Sequence, residues 1–162
     1  MNSSPAKLLL VTWERMNILT HRFTEGINQA ESLLIPPVAG NCMNWVLGHM
    51  LENRDTALNL LGQPSVLSER ETQTYRRGSE ALVEPGAATD IAVLMAKMDD
   101  SYASLITVIQ ALPEGGLDQE VDFHGMKPLG EVLYFLQWHE TFHLGQLDPL
   151  RQLAGRTEKI IG

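Results

Sequence analysis

The chain has 162 residues, 44% of them hydrophobic, with 12 Lys and Arg against 20 Asp and Glu and a formal net charge of −8. This acidic balance argues against nucleic-acid binding, where neutralised phosphates supply much of the affinity, and against a basic helix lying on a membrane. A lone cysteine excludes an internal disulfide, and no membrane-length apolar run or secretion signal is seen, so we predict one cytoplasmic domain over residues 1–162.

Four long segments have the three- and four-residue apolar spacing of helices with one buried side. The first is predicted over residues 5–31 and ends before IPPVAG, whose prolines and glycine oppose a helix. The second is predicted over residues 41–61, where Gly62 is a suitable stop. The third is predicted over residues 89–112, with Thr89 as its N-cap.

The fourth helix is predicted over residues 128–154, beginning at Pro128, and Pro149 is expected to kink it or to end its first section. A short helix is expected around residues 68–75, and no convincing strand is seen in the remaining connections. The pattern predicts an all-α protein, an antiparallel four-helix bundle.

Three of the five histidines fall on the apolar stripes of these helices. His139 and His143 are four residues apart, so they share one face of the fourth helix, and His49 lies on the stripe of the second. Burying three imidazoles is costly unless each finds a partner, and one divalent metal would satisfy all three while leaving open coordination positions. His21 lies toward a polar flank, and His124 lies in a loop near the expected pocket mouth, so neither is predicted as a ligand.

Two blocks resemble the DinB/YfiT-like metalloenzyme family: NWVLGHMLENRD at residues 44–55 and WHETFHLGQLDPLRQLAG at residues 138–155. The resemblance implies an up-down-down-up four-helix bundle with a metal triad of His49, His139 and His143. Nickel or zinc is typical of the family, and imidazole suits both. Some members transfer low-molecular-weight thiols such as bacillithiol or mycothiol, so a thiol is an expected cosubstrate.

HETFH also matches the H-E-x-x-H signature of zinc peptidases, with Glu140 as general base. The continuation does not fit, because Gly145 comes one position early and Pro149 occupies the place of a third ligand. The only downstream Glu, Glu158, lies near the end of the sequence. We therefore expect Glu140, on the flank of the stripe, to have a structural role or to support a ligand.

Other side chains are interpreted from their positions relative to the triad. Asn53 and Gln146 are expected to orient a ligand or to form helix-packing hydrogen bonds, and Cys42 to be a small buried residue. Arg54 is expected to be a surface or boundary cation, and the YRRGSE loop to meet an anionic substrate through Arg76 or Arg77. Gly48 and Gly145 are expected at close helix approaches, and Trp45, Tyr102 and Trp138 in the pocket wall or the core.

Three functions are compatible with these features. The first is a metal-dependent enzyme in which a metal-bound thiol or water reacts with a small molecule, by thiol transfer or hydrolysis. The sequence identifies no catalytic side chain for this reaction beyond the metal ligands. The second is a non-catalytic metal- or ligand-binding bundle, a homodimer with a sensing or storage role. The third is the peptidase, which is the weakest for the reasons given above.

Overall fold

The computed structural model of the chain describes residues 4–80, 82 and 85–161. Within these residues it contains four long α-helices, two short α-helices, two turns of 3-10 helix (Pro85–Ala87 and Gly116–Asp118) and a small hairpin. The helices are α1 (Pro5–Thr24), α2 (Gln29–Ser32), α3 (Met43–Leu60), α4 (Glu69–Tyr75), α5 (Ile91–Gln110) and α6 (Leu129–Leu153), and the strands are β1 (Glu120–Asp122) and β2 (Met126–Pro128). None of the described helices has the length and apolar character that a membrane crossing requires.

The four long helices form an up-down-down-up bundle. Helices α1 and α6 are parallel, because early residues of one contact early residues of the other and late residues contact late ones. Helices α3 and α5 are parallel to each other and run in the opposite direction. The contacts that establish this order are Leu9–Gln137 and Phe23–Arg151 between α1 and α6, Asn44–Thr89 and Arg54–Met98 along α3 and α5, and Asn53–Leu136 and His49–His143 between α3 and α6.

The first predicted helix is too long, because the chain turns before residue 31. Helix α1 begins after Ser4, whose side chain caps it, and ends at Thr24. Gly26 then adopts a left-handed φ of 72°, and Asn28 and Glu31 form a reciprocal capping box that starts α2 as a separate turn of helix.

The starts of the later helices follow the side chains that cap them. The N-cap of α5 is Asp90 rather than the predicted Thr89, and its carboxylate accepts from the Ala92 N–H. Helix α4 confirms the short helix predicted around residues 68–75, with a capping box between Ser68 and Glu71.

The expectation that the last third of the chain has no strand is wrong, and one of the two alternatives predicted for Pro149 is excluded. Strands β1 and β2 pair as an antiparallel hairpin where none was expected, and their three-residue lengths are too short to show an alternating pattern. Pro149 does not end α6, which continues to Leu153. Gly145, whose carbonyl loses its N–H partner to this proline, is exposed, so water can bond that carbonyl. Two bonds from Arg151 to the carbonyls of Phe23 and Glu25 secure the last turn.

Candidate metal centre

The three histidines of the predicted triad lie together between α3 and α6. One nitrogen from each of His49, His139 and His143 lies within 4.8 Å of the other two. The Nε2 atoms of His139 and His143 are 3.2 Å apart, and the His49 ring meets both of their rings edge to face. The four-residue spacing on α6 supplies two of these rings, and the antiparallel packing of α3 brings the third.

Each of the three rings is held at its Nδ1 atom by an oxygen acceptor. His49 Nδ1 lies 2.9 Å from the carbonyl of Tyr75, His139 Nδ1 lies 3.0 Å from Oδ1 of Asn53, and His143 Nδ1 lies 2.8 Å from Oε1 of Gln146. Oxygen acceptors require a proton on Nδ1, which leaves the lone pair of each neutral ring on Nε2.

The orientation of the Asn53 amide is independently fixed. Its Nδ2 donates to the backbone carbonyl of Leu136 at 2.8 Å, and a carbonyl can only accept. The Oδ1 of Asn53 must therefore face His139, whose Nδ1 is the donor. This amide links the two helices that carry the triad and sets the tautomer of one of its members.

The resulting arrangement places two lone pairs against each other. With Nδ1–H on both rings, the His139 and His143 Nε2 atoms face one another at 3.2 Å without a proton between them. Two nitrogens bound tetrahedrally at about 2.0–2.1 Å from zinc lie roughly 3.3 Å apart. Three neutral imidazoles with their other nitrogens hydrogen-bonded to oxygen are the donor set that divalent zinc or nickel accepts.

Burial keeps these rings neutral. It lowers the pKa of His49 to about 4, and the hydrogen bond that Nδ1 donates to the Tyr75 carbonyl opposes this shift only in part. Burial also lowers the pKa of His139 and of His143. Glu52 Oε2 lies 3.6 Å from His49 Nδ1. Burial raises the pKa of Glu52 and lowers that of His49, so it favours the neutral form of both groups over an ion pair. Neutral rings are ready to bind a metal without first losing protons.

The position of His49 depends on Tyr75, the last residue of α4. The Tyr75 ring is fully buried and packs directly on Gly48, where an added Cβ would lie 2.2 Å from the ring. The Tyr75 hydroxyl donates to Asn44 and accepts from the Thr89 N–H, which fixes the tyrosine from both sides. Gly48 thus allows a close approach, as predicted, but the group that approaches it is the ring of Tyr75. Trp45 stacks on a face of the His49 ring, with ring centroids 4.8 Å apart.

Arg54 and Glu140 form an ion pair in the centre of the bundle, and both side chains are 0% exposed. Arg54 Nε and Nη2 donate to Glu140 Oε1 at 2.9 and 2.7 Å, and Arg54 Nη1 also bonds Asn17, Met98 and Ser101. Trp13 Nε1 donates to the second carboxylate oxygen. The pair therefore contacts all four long helices.

This pair corrects two predictions. Arg54 is not a surface or boundary cation, because α3 is buried on nearly every side and leaves it no route to solvent. Glu140 is not on the flank of α6, and its carboxylate is bonded by Arg54 and Trp13 rather than by a triad N–H. Both oxygens are occupied, so the carboxylate is not free to act as the general base that an H-E-x-x-H peptidase requires.

A cavity of about 550 Å³ opens beside His49 and His139. Its walls come from α3, α6, the segment after α4 and the hairpin. Of the two arginines predicted to meet a substrate, Arg77 lines the cavity and Arg76 does not. His124 also lines the cavity, in agreement with its predicted place near the pocket mouth. The full lining is His49, Glu52, Asn53, Thr56, Arg77, Phe123, His124, Lys127, Glu131, Val132, Phe135, Leu136 and His139.

Several other residues that were singled out in the sequence lie away from the three histidines. Trp138 is 58% exposed and outside the cavity, and Tyr102 packs at the edge of the core. Gly145 is not at a close helix approach, because an added Cβ would meet nothing within 4 Å. Cys42 is buried at the N-cap of α3, as predicted, and His21 bonds Asp99 at the surface, away from the triad.

Sequence reasoning missed three kinds of contributor to the site. The Tyr75 carbonyl is a backbone group, which carries no residue-type signal. Phe123 and Lys127 belong to the unexpected hairpin. Phe135 precedes His139 by one turn and stacks parallel to it at 6.3 Å, so the four-residue spacing used for the histidines could have found it.

Comparison with known proteins agrees with this architecture. The chain superimposes on a crystal structure of a conserved protein from Enterococcus faecalis with a TM-score of 0.72 and 16% identity, covering 94% of this chain and 98% of that one. At this identity the likeness concerns the fold. No curated protein matches the sequence. The family model of the DinB superfamily matches residues 11–147, and the chain belongs to that superfamily.

Proposed function

We propose that this protein binds one divalent metal ion through His49, His139 and His143 and is a metal-dependent enzyme acting on a small molecule. The observation that carries the proposal is the arrangement of the ring nitrogens. Every Nδ1 is satisfied by an oxygen, and the Nε2 atoms of two rings face each other at 3.2 Å. An arrangement of this kind is stabilised by a shared cation and is unfavourable without one.

The chain's own groups support this role. Tyr75, Asn53 and Gln146 orient the ligands, and the adjoining cavity of about 550 Å³ is of a size typical for small-molecule sites. A bound divalent cation would supply Lewis acidity, which lowers the pKa of a thiol or a water that reaches it. Zinc and nickel both suit the donor set.

The reaction that we favour is thiol transfer to an electrophilic carbon, and hydrolysis in the same cavity is the related alternative. In thiol transfer the sulfur forms a bond to carbon, the leaving group departs with the bonding pair, and the thiol proton passes to solvent. Family resemblance supports a low-molecular-weight thiol as the cosubstrate. A non-catalytic metal-binding bundle, including a homodimeric one, shares the triad and differs only in lacking turnover.

Two measurements test the proposal. The first is the metal content of protein purified without a histidine tag, which should be stoichiometric in the native chain and lost in His139→Ala. The second is transfer from a thiol panel to monochlorobimane, in which a carbon–sulfur bond replaces the carbon–chlorine bond. Turnover that requires the triad supports the enzyme. Stoichiometric metal without turnover of any thiol in the panel, or of an ester tested for hydrolysis, supports the non-catalytic bundle instead.

A further inference from the structure

The outer side of α6 carries three large aromatic residues that do not line the cavity. Tyr134, Trp138 and Phe142 follow one another at four-residue steps, so they lie along one line of the helix. They are 67%, 58% and 60% exposed, and together they are referred to as the aromatic face of α6. Because burial of such side chains is favourable, a continuous aromatic line left this open indicates a surface that another molecule covers.

Helix α1 widens this apolar surface. Gln137 donates to the Leu9 carbonyl, and Thr141 donates to the Met16 sulfur, so α1 lies directly beside the aromatic face. The exposed apolar residues that α1 adds are Leu8, Val11 and Ile18. A whole aromatic side chain has about 150–250 Å² of surface and an aliphatic one about 60–120 Å², so the exposed fractions amount to roughly 400–600 Å² of apolar surface.

This area suits a second copy of the chain. A protein–protein interface of standard size buries about 800 Å² on each partner, of which about 56–65% is apolar, so each partner supplies roughly 450–520 Å² of apolar surface. The surface on α6 and α1 has that size, and a two-fold symmetric dimer uses the same patch on both subunits. Small molecules bind in concave sites instead, whereas this surface is the outside of a helix pair.

The distribution of charge also favours a second copy. Within α6, all of which the structure describes, no exposed side chain between Glu131 and Asp148 is charged. In a chain with 20% charged residues and a net charge of −8, such a stretch lets two acidic copies meet without bringing their carboxylates together. The same stretch of α6 offers no cation to an anionic membrane surface.

We propose that the aromatic face of α6, widened by the exposed apolar residues of α1, is the contact surface of a two-fold symmetric homodimer. The contact extends toward the metal centre. Phe135 lines the cavity and adjoins Trp138 with ring centroids 5.9 Å apart, and Phe142 meets the His143 ring edge to face at 5.2 Å. The dimer does not depend on a bound metal, so the inference goes beyond the proposed function.

Sedimentation equilibrium of tag-free protein across the micromolar range measures the dimer dissociation constant, and metal-stripped protein is used so that zinc cannot bridge two chains. The variants are Trp138→Gln and Tyr134→Gln, at exposed positions outside the cavity lining. Val93→Gln is the control, because it removes an exposed apolar side chain from α5, which lies diagonally across the bundle from α6. Far-UV circular dichroism verifies that all three variants are folded.

Tryptophan fluorescence locates the contact. Of the three tryptophans, Trp13 and Trp45 are buried and Trp138 is exposed, so acrylamide quenching reports mainly on Trp138. Quenching should be strong in the monomer and weaker in the dimer, where the second copy covers this ring.

We expect the native chain to form a dimer whose dissociation constant rises at least about 30-fold in Trp138→Gln, about tenfold in Tyr134→Gln and not at all in Val93→Gln. A native chain that stays monomeric, a dimer that all three variants form equally well, or full quenching of Trp138 in the dimer would each overturn the inference. A monomer that sediments with vesicles of phosphatidylcholine and phosphatidylglycerol would also overturn it and would assign the surface to lipid.

Discussion

Arg54 and Glu140 join α3 to α6 through an ion pair, with Arg54 Nη2 2.7 Å from Glu140 Oε1. Each residue directly follows a residue of the metal centre: Arg54 follows Asn53, and Glu140 follows His139. The ion pair and the Asn53–His139 hydrogen bond therefore join α3 and α6 at adjacent residues and fix the position of one helix along the other. This fixed position allows side chains from the two helices to meet a single ion.

Glu140→Gln should destabilise the protein by about 3 kcal/mol, because it leaves the buried charge of Arg54 without its counterion. Urea unfolding measures this loss. The peptidase alternative predicts the opposite pattern, with unchanged stability and loss of casein cleavage. The double variant Arg54→Met with Glu140→Leu is the control, since replacing both charges by apolar groups should recover part of the lost stability.

Asn53→Ala should weaken zinc binding by roughly 10- to 100-fold, because it removes the acceptor that orients His139. Competition with a chromophoric chelator measures the affinity. Thr56→Val is the matched control, because Thr56 lines the same cavity one turn along α3 and contacts no histidine nitrogen. If both variants bind zinc as tightly as the native chain, the Asn53 amide does not support the site.

Gly48 and Gly145 should respond oppositely to alanine. Gly48→Ala places a Cβ 2.2 Å from the Tyr75 ring and should cost about 1–3 kcal/mol, because that ring is fully buried and cannot move aside easily. It should also weaken zinc binding, since the carbonyl that orients His49 belongs to Tyr75.

Gly145→Ala is the comparison in the same experiment. It meets open space on the exposed side of α6 and should stabilise the helix by roughly 0.5–1 kcal/mol. Thermal and urea unfolding of both variants measure the two effects. Destabilisation of similar size at both positions would contradict the packing described for Tyr75.

The Glu71–Lys97 ion pair should make the fold sensitive to acid. Partial burial alone would raise the pKa of Glu71, but hydrogen bonds from Lys97 and Ser68 lower it from 4.5 to about 2. A carboxyl whose pKa is lower in the folded state stabilises the fold above its unfolded pKa and loses that contribution as it becomes protonated. The contribution of Glu71 is therefore complete above about pH 4.5 and is lost as the pH falls through 2.

Glu71→Gln should accordingly be less stable than the native chain at neutral pH, with a difference that shrinks between pH 4.5 and pH 2. Urea unfolding at several pH values across this window measures the difference. Glu69→Gln removes the same charge from the same helix at an exposed position and serves as the control. A difference that stays constant with pH would show that Glu71 acts through its shape alone.

The bundle was predictable because α1, α5 and α6 each bury one side, and one-sided burial leaves a three- and four-residue apolar spacing in the sequence. The proximity of His139 and His143 follows from that spacing, and His49 was predicted toward them from the apolar spacing of the second helix. The burial of Arg54 was not predictable in this way, because α3 is buried on nearly every side and has no single stripe from which a polar residue departs. A charge on such a helix requires a partner, and the partner, Glu140, is distant in sequence.

Other parts of the site depend on contacts that have no local signal. The carbonyl of Tyr75 reaches His49 only because Gly48 admits the tyrosine ring, and neither residue predicts the other. The hairpin that supplies Phe123 and Lys127 has strands of three residues, which are too short for an alternating pattern. These features come from tertiary packing, and only the structure places them beside the histidines.

Metal binding by the triad is measured most directly by a zinc titration of tag-free, metal-stripped protein against a chromophoric chelator, alongside His49→Ala, His139→Ala and His143→Ala. His21→Ala is the control, because that histidine lies on the surface and bonds Asp99. We predict one zinc per native chain, an affinity reduced at least about 100-fold in each triad variant, and no change in the His21 variant. No stoichiometric zinc in the native chain, or equal zinc affinity in the triad and control variants, would contradict metal binding by the triad.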